Sequence, residues 1–223
     1  MNYELARHHM IEQQLRTCEV LTPAVVELLY ADRREHYMPA QYRALAFSDI
    51  AIPLGQGDSS AVMLTPKLEA RILQVAKLKR GDRVLEVGTG SGHMAALLAE
   101  QAQQVWTVEI DPALAERARS NLNTDGVGNV SVVVGDGLAG LPAHAPFDCI
   151  VVSGGVAEIP AALLSQLKVG GRLFAFVALA GMAPVMALRQ VTRQAEDVFV
   201  SVDLLETYVP LLQNAGAAQA FTF

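Results

Sequence analysis

The stretch Val84–Glu100, VLEVGTGSGHMAALLAE, decides the fold. Three glycines occupy alternate positions, Gly88, Gly90 and Gly92, between a short apolar run and an apolar helical pattern. A short apolar run is typical of a strand that is buried on both faces of a sheet. The strand, glycine turn and helix together predict a ligand site at the carboxyl edge of a parallel sheet, because small residues let a ligand approach the backbone and a helix begins with free N–H groups.

The chain after Gly81 repeats this alternation of strand and helix. The further strand-like runs are QVWTVE, VSVVVGD, FDCIVVSG and GRLFAFVAL. Strands that alternate with helices predict an α/β fold with a doubly wound, mostly parallel, Rossmann-like sheet. Two β-rich runs beyond Pro184, separated by a short polar turn, predict an antiparallel pair at the carboxyl-terminal end of this sheet.

The first part of the chain has a different pattern. Residues 1 to about 48 are predicted to be helical, with Thr22 as an N-cap and Pro23 at the first helical position. An irregular, glycine- and serine-rich loop follows from Ser48 to Leu64, and Thr65 caps the next helix. We therefore expect residues 1–65 to form a helical cap with a loop on the substrate side, and residues 66–223 to form the ligand-binding domain, packed as one compact unit.

Composition and charge exclude several classes of protein. The 223 residues are 52% hydrophobic and carry a formal net charge of −6, which argues against a nucleic-acid partner because such proteins present a basic stripe. Cys18 and Cys149 are far apart, which is typical of a reducing, cytoplasmic compartment and does not predict a metal site. The most apolar window, Leu173–Leu188, is broken by Gly181 and Pro184, so it predicts buried strands rather than a membrane span.

The glycine spacing and one acidic residue distinguish between possible ligands. Dinucleotide-binding turns read GxGxxG, whereas here the third glycine comes one place earlier, in GTGSG. Glu86 lies two residues before Gly88 and puts a carboxylate into the predicted crevice. That carboxylate would repel a pyrophosphate and attract a cation. The pattern therefore disfavours a dehydrogenase.

Two more acids follow the next two strands and complete the predicted site. Glu109 can accept hydrogen bonds from both hydroxyls of a ribose, and Asp136, in GDG, can accept one from an adenine amino group. A nucleoside with a cationic end describes S-adenosylmethionine, whose demethylated product is S-adenosylhomocysteine. The residues predicted to bind this cofactor are Glu86, Gly88, Thr89, Gly90, Ser91, Gly92, His93, Glu109, Ile110, Asp136 and Gly137.

These motifs resemble the protein-L-isoaspartate O-methyltransferase family. The likeness extends from MIEQQLRTCEVLTPAVVELLYADRREHYMP through FSDIAIPLGQG, VLEVGTGSG and GDGLAGLPAHAPFDCIVVSGGVAEIP to YVPL near residue 211. The resemblance implies a helical layer over the sheet and methyl transfer to the α-carboxylate of isoaspartyl residues in damaged proteins. It also implies a protein or peptide partner, no nucleic acid or membrane, and a monomer or weak homo-oligomer.

One loop departs from the family pattern. The family reads close to GQTISQP, with a serine at the reacting carboxylate, whereas this chain reads GQGDSSAVMLTP. Alignment from the left puts Ala61 at the serine position, and alignment from the right puts Leu64 there. Ser59, Ser60 and Thr65 are therefore the candidate catalytic hydroxyls. The alternative interpretation is a diverged family member that binds S-adenosylmethionine but methylates another substrate or acts as a regulatory binding protein.

Acid–base chemistry is not required for the implied reaction. A carboxylate is already ionised at neutral pH, since its ordinary pKa is roughly 4, so the nucleophile needs no general base. A hydroxyl donor would orient the carboxylate and hold it in line with the methyl group and sulfur. Charged residues outside the crevice, such as the DRRE run from Asp32 to Glu35, are expected to form a solvated helix face.

Overall fold

The computed structural model describes residues 2–20, 22–55, 60–182 and 184–216. Its α-helices are α1 (Tyr3–His9), α2 (Pro23–Ala31), α3 (Pro66–Ala76), α4 (His93–Ala99), α5 (Pro112–Thr124) and α6 (Ala161–Ser165). Its strands are β1 (Ile52–Pro53), β2 (Val62–Met63), β3 (Arg83–Val87), β4 (Gln104–Glu109), β5 (Val130–Val134), β6 (Phe147–Val156), β7 (Leu167–Ala178), β8 (Met186–Ala195) and β9 (Val198–Thr207). A π-helical turn and short 3₁₀ turns cover Met10–Leu15, Arg16–Cys18, Arg34–Tyr37, Ala40–Leu45, Gly137–Ala139 and Pro142–His144.

A seven-stranded sheet forms the centre of the molecule, in the order β5-β4-β3-β6-β7-β8-β9. Strands β3 to β7 run parallel, and β8 and β9 add to the edge as an antiparallel pair. The predicted α/β fold with its carboxyl-terminal antiparallel pair is confirmed. The strand order reverses direction at β3, where β4 lies on one side and β6 on the other, and such a switch point is where open parallel sheets bind ligands.

Local signals at two helix starts agree with the structure. Thr65 accepts a hydrogen bond from the Leu68 N–H, and Asp111 caps α5 in the same way, each before a proline at the first helical turn. Thr22 is different, because its side chain makes no capping bond and its hydroxyl donates to Gln74 Oε1 at 3.2 Å. The helix α2 still begins at Pro23 as predicted.

Apolar side chains pack on both faces of the sheet. The larger core joins the amino-terminal helices to the sheet and includes Met10, Leu29, Leu68, Val84 and Phe174. The core on the other face lies under α6 and the carboxyl-terminal segment and contains a second set of buried side chains, among them Leu85, Phe147, Ile150 and Leu163. Residues before and after position 65 thus share one core, and the division into 1–65 and 66–223 stays a prediction.

The most apolar window of the sequence forms strands. Its residues make up the second half of β7, a turn, and the start of β8. In the part of the chain that the structure describes, no helix is both long enough and apolar enough to span a bilayer.

Candidate active site

The glycine turn joins β3 to α4 in a conformation that side chains disfavour. Gly88, Gly90 and Gly92 all have positive φ angles, of 91°, 52° and 86°. A Cβ atom at Gly90 would also lie 2.9 Å from Leu54 Cδ1, and one at Gly92 would lie 3.3 Å from Ala118 Cβ. The alternate glycines are therefore required by the turn itself and by the close packing of the substrate-side loop and α5 against it.

A cavity of about 390 Å³ opens at the carboxyl ends of β3, β4 and β6. Its walls come from the glycine turn, the ends of β4 and β5, the loop before β2 and the carboxyl-terminal segment. Of the residues predicted to bind the cofactor, Gly88, Gly90, Glu109, Ile110, Asp136 and Gly137 line it. Pockets of this size hold ligands of nucleoside dimensions.

Glu86 lies beneath this cavity, completely buried at the end of β3. The Thr107 hydroxyl donates to Glu86 Oε2 and the Ser153 hydroxyl to Glu86 Oε1, each at 2.7 Å. Burial raises the pKa of Glu86 to about 8, although both hydroxyl donors act to lower it. A cation placed at the cavity floor would stabilise the ionised form of this carboxyl.

Glu109 and Asp136 hold the cavity walls in place. Glu109 accepts the Gly90 N–H at 2.8 Å and the Asp111 N–H at 3.1 Å, which ties the end of β4 to the glycine turn. Asp136 accepts the Leu138 N–H at 3.0 Å. Gly137 has no room for a side chain, because a Cβ atom there would lie 2.6 Å from Val87 Cγ1.

The electrostatic character of the cavity is negative. Its described lining includes three carboxylates, of Glu109, Asp111 and Asp136, and includes neither lysine nor arginine. Glu86 adds a fourth acid behind Ser153. Such a site favours a cationic ligand and disfavours a pyrophosphate, as the sequence predicted.

The chain from Val209 to Gly216, here called the carboxyl-terminal strap, closes one side of the cavity. Its backbone is fixed to β6, because the Gly155 N–H donates to the Pro210 carbonyl and the Leu212 N–H donates to the Gly155 carbonyl, each at 2.8 Å. The Leu212 methyl lies only 3.1 Å from the place of a Cβ at Gly88, and Asn214 donates to Asp136 at 3.1 Å. The YVPL motif was the only sequence signal for this wall.

The three candidate hydroxyls have different positions. Ser60 is exposed and lines the cavity together with Ala61 and Val62. Thr65 does not line it, because its hydroxyl oxygen caps α3 by accepting the Leu68 N–H at 3.4 Å. Ser59 lies outside the described residues. The Leu64 side chain, which one alignment puts at the family's serine position, is 4% exposed and packs in the core.

The remaining residues of the predicted turn lie behind the cavity. Thr89 is buried, with its hydroxyl 2.6 Å from that of Thr107, and the Ser91 carbonyl accepts from Asn121 Nδ2 at 2.9 Å. His93, which was also predicted to bind the cofactor, is buried and does not line the cavity. Its ring points away from the cavity towards the amino-terminal layer, where it contacts buried acids.

A parallel sheet with a glycine turn at its switch point and acids at three neighbouring strand ends defines an S-adenosylmethionine-dependent methyltransferase. The family model described as protein-L-isoaspartate(D-aspartate) O-methyltransferase matches residues 5–216. The chain belongs to this family, and its activity is carboxyl methyl transfer from S-adenosylmethionine.

Relatives named for the same enzyme match nearly the whole chain. The protein-L-isoaspartate O-methyltransferase of Koribacter versatilis is 39% identical, over 98% of this chain and 96% of its own length. That of Ignicoccus hospitalis is 37% identical, over 95% of this chain and 97% of its own length. A solved structure named protein-L-isoaspartate O-methyltransferase superposes with a TM-score of 0.80 at 28% identity, covering 94% of this chain and 67% of the other.

Proposed function

We propose that the cavity binds S-adenosylmethionine with its nucleoside between Glu109 and Asp136 and its ammonium group towards Glu86. The cofactor supplies an electrophilic methyl group carried on a sulfonium. Glu109 then accepts from the ribose hydroxyls and Asp136 from the adenine amino group, while Gly88 and Gly90 let the ligand approach the backbone. The negative lining of the cavity supports this arrangement, because the ligand is a cation.

The acceptor is the α-carboxylate of an L-isoaspartyl residue in a protein or peptide. We place it at the mouth of the cavity, between Ser60 on one side and the carboxyl-terminal strap on the other, because both line the cavity and Ser60 is exposed. The carboxylate is already ionised and needs no general base. The Ser60 hydroxyl donates to it and holds one oxygen in line with the methyl carbon and sulfur, while the strap excludes water.

The observation that carries this function is the combination of family membership with an exposed serine that lines an acidic cavity. Transfer of tritiated methyl groups to an isoaspartyl peptide, beside its normal aspartyl twin, tests it. We expect labelling of the isoaspartyl peptide alone. Tight cofactor binding with no labelling of either peptide would contradict the proposal and favour a diverged binding protein.

Asp136→Ala and Glu109→Ala are each expected to weaken S-adenosylhomocysteine binding by about tenfold or more, since a hydrogen bond from a neutral donor to a charged acceptor contributes about 1.5–3 kcal/mol. Calorimetric titration measures the affinity. The exposed Glu116 is a suitable control, because it lies on the outer face of α5, and Glu116→Ala is expected to bind normally. Unchanged affinity in both cavity variants would remove these residues from the site.

Ser60→Ala is expected to lower turnover by up to about a hundredfold, because the acceptor carboxylate loses its orienting donor. Cofactor affinity is expected to stay the same, since the nucleoside lies deeper in the cavity. Thr65→Ala is the matched hydroxyl deletion outside the cavity, and it is expected to leave turnover close to wild type. A larger effect of Ser60→Ala on cofactor binding than on turnover would contradict this role.

We also propose a cytoplasmic location and a monomer or weak homo-oligomer. Both cysteines, Cys18 and Cys149, are free thiols in the structure, and Cys149 is buried in β6. Free thiols are typical of reducing compartments. Light scattering of the purified protein at several concentrations tests the assembly state.

A further inference from the structure

Four charged side chains meet beneath the amino-terminal layer, outside the cofactor cavity. They belong to Asp32, Arg34, Glu69 and His93, and we call them the buried charge cluster. Their side chains are 9%, 1%, 3% and 2% exposed, respectively. The charge pattern predicts a solvated helix face for the run from Asp32 to Glu35. That expectation is wrong, because Arg34 and Glu35 are both buried.

The contacts inside the cluster are direct. His93 Nε2 lies 3.0 Å from both carboxylate oxygens of Asp32, and His93 Nδ1 lies 3.0 Å from Glu69 Oε1. Arg34 donates from Nη1 to Glu69 Oε2. Its other two nitrogens donate to the backbone, Nε to the Ala46 carbonyl at 3.0 Å and Nη2 to the Leu64 carbonyl at 2.5 Å.

The cluster is neutral only when His93 carries two protons. Each ring nitrogen lies about 3.0 Å from a carboxylate oxygen and can donate to it when protonated, while Arg34 Nη1 lies 3.2 Å from Nδ1. The imidazolium and guanidinium together balance the two acids. Burial alone would lower the pKa of His93, but Asp32 and Glu69 raise it to about 9. Burial alone would raise the pKa of Asp32, but the charge and hydrogen bonds of His93 lower it. Tyr37, whose ring edge packs on the imidazole at 5.2 Å between centroids, completes the surroundings.

The cluster connects the two sides of the proposed reaction. His93 is the first residue of α4 and directly follows the glycine turn. Arg34 holds the carbonyl of Leu64, which follows the cavity-lining segment 60–62 and the short strand β2. Glu69, in α3, contacts both of them and bridges the histidine to the arginine. A shift of any of the four side chains would therefore move the segment 60–64 relative to the glycine turn.

Stability alone does not explain such a cluster. Buried ion pairs contribute little net stability, because desolvation offsets their attraction, and apolar side chains of similar volume often serve equally well. Hydrogen bonds from a planar guanidinium do, however, fix directions. The two Arg34 bonds to backbone carbonyls hold Ala46, which precedes the substrate-side loop, and Leu64, the last residue of that loop, in one orientation.

We propose that His93, Glu69 and Arg34 are positioning residues, which orient the segment 60–64 over the cofactor cavity so that Ser60 meets the acceptor carboxylate. The inference rests on the proposed role of Ser60. If the inference holds, the charge balance of the buried charge cluster determines kcat/KM for the peptide substrate and leaves cofactor affinity unchanged. Neither His93 nor Glu69 lines the cofactor cavity.

A double-mutant comparison tests the proposal. His93→Gln leaves one positive and two negative groups, Glu69→Gln leaves an excess of positive charge, and the two changes together restore neutrality. We expect each single variant to lower kcat/KM for an isoaspartyl peptide by about tenfold to a hundredfold, as expected for a misplaced reacting group. The double variant is expected to recover most of this loss, and S-adenosylhomocysteine affinity is expected to change less than twofold throughout. The exposed histidine variant His8→Gln is the control and is expected to behave as wild type.

The pH profile of the wild type tests the same proposal without a substitution. Asp32, Glu69, Arg34 and Tyr37 face the imidazole. Because the pKa of His93 is raised to about 9, kcat/KM for the peptide is expected to fall as the pH rises through that value. The double variant is expected to lack this fall in kcat/KM at high pH. Formation of S-adenosylhomocysteine is the readout, since the methyl ester hydrolyses in alkali.

Two results would overturn the inference. One is an equal loss of cofactor affinity and peptide turnover in the single variants without recovery in the double variant, which is the behaviour of a purely structural cluster. The other is a wild-type profile that is flat through pH 9. A failure of the proposed function has a different signature, because the wild type itself would not methylate the isoaspartyl peptide. If only the present inference fails, the wild type methylates the peptide, and the variants or the pH profile differ from the expected results.

Discussion

Replacement of Arg34 by methionine is expected to lower the free energy of unfolding by about 3–5 kcal/mol, the range for removal of one partner from a buried ion pair. The side chain is 1% exposed and bonds Glu69 and two backbone carbonyls. Methionine fills similar volume but leaves the Glu69 carboxylate facing only His93 and leaves the carbonyls of Ala46 and Leu64 without their donor. Urea unfolding followed by circular dichroism measures the change.

Arg16→Met is the matched control for this substitution. Arg16 pairs with Glu12 at 2.9 Å, but both side chains are more than a third exposed. Exposed pairs of this kind contribute about 0–1 kcal/mol, so the control is expected to unfold close to wild type. Equal losses from the two arginine variants would mean that the buried charge cluster has no special stabilising role.

Replacement of Glu86 by glutamine is expected to abolish the pH dependence of cofactor binding. In the free protein, burial raises the pKa of Glu86 to about 8, whereas a cationic ligand needs the carboxylate form. Binding must therefore displace a proton below pH 8, and by linkage the affinity of the wild type for S-adenosylhomocysteine rises about tenfold per pH unit between pH 6 and pH 8. Glutamine has no such proton, so the variant binds weakly and equally at both pH values.

The stability of the free protein is expected to show the opposite trend. An acid whose folded pKa lies above its unfolded value makes the folded state bind more protons, so stability falls as the pH rises from about 4.5 to about 8. Glu86→Gln removes this contribution and flattens that part of the curve. Thermal unfolding at pH 6 and pH 8 measures it, with the exposed Glu116→Gln as control. If affinity and melting temperature of Glu86→Gln keep the wild-type pH dependence, Glu86 is not the titrating group.

The cofactor side of the molecule was predictable because its signals are local. A strand, a glycine turn and a helix are neighbours in sequence, and acids that end parallel strands meet at one sheet edge whatever the rest of the chain does. Glu109 and Asp136 therefore line the cavity at the predicted sheet edge, whereas Glu86, which was predicted to enter the crevice, is completely buried behind Ser153. The early position of the third glycine in GTGSG also reflects local packing, since a Cβ atom at Gly92 would lie 3.3 Å from Ala118 Cβ in α5.

The cap side was not predictable, because its contacts join residues that are far apart in sequence. Arg34 reaches Glu69 in α3, and His93 reaches Asp32 across 61 positions. A periodic pattern reports how one helix faces its neighbours, and it does not report which charges from three elements meet. A histidine directly after the glycine turn and the acid in the first turn of α3, Glu69, were the only signals, and each one alone is more often a surface feature.

The position of the substrate-side loop was predictable only in part. Two alignments of GQGDSSAVMLTP were open from the sequence, and the pairing of Ile52 with Met63 places Val62 at the cavity and Leu64 in the core. The hairpin register, set by tertiary packing, thereby leaves Ser60 as the hydroxyl at the cavity among the described residues of this loop.

The carboxyl-terminal strap has a practical consequence for handling the protein. Because residues 209–213 form one wall of the cofactor cavity and Leu212 lies close to the glycine turn, we expect a recombinant fusion placed directly after the strap to disturb the ligand site. Affinity tags and immobilisation chemistry therefore belong at the amino end of the chain. A protease cut within the strap would serve as a sensitive footprint of ligand occupancy.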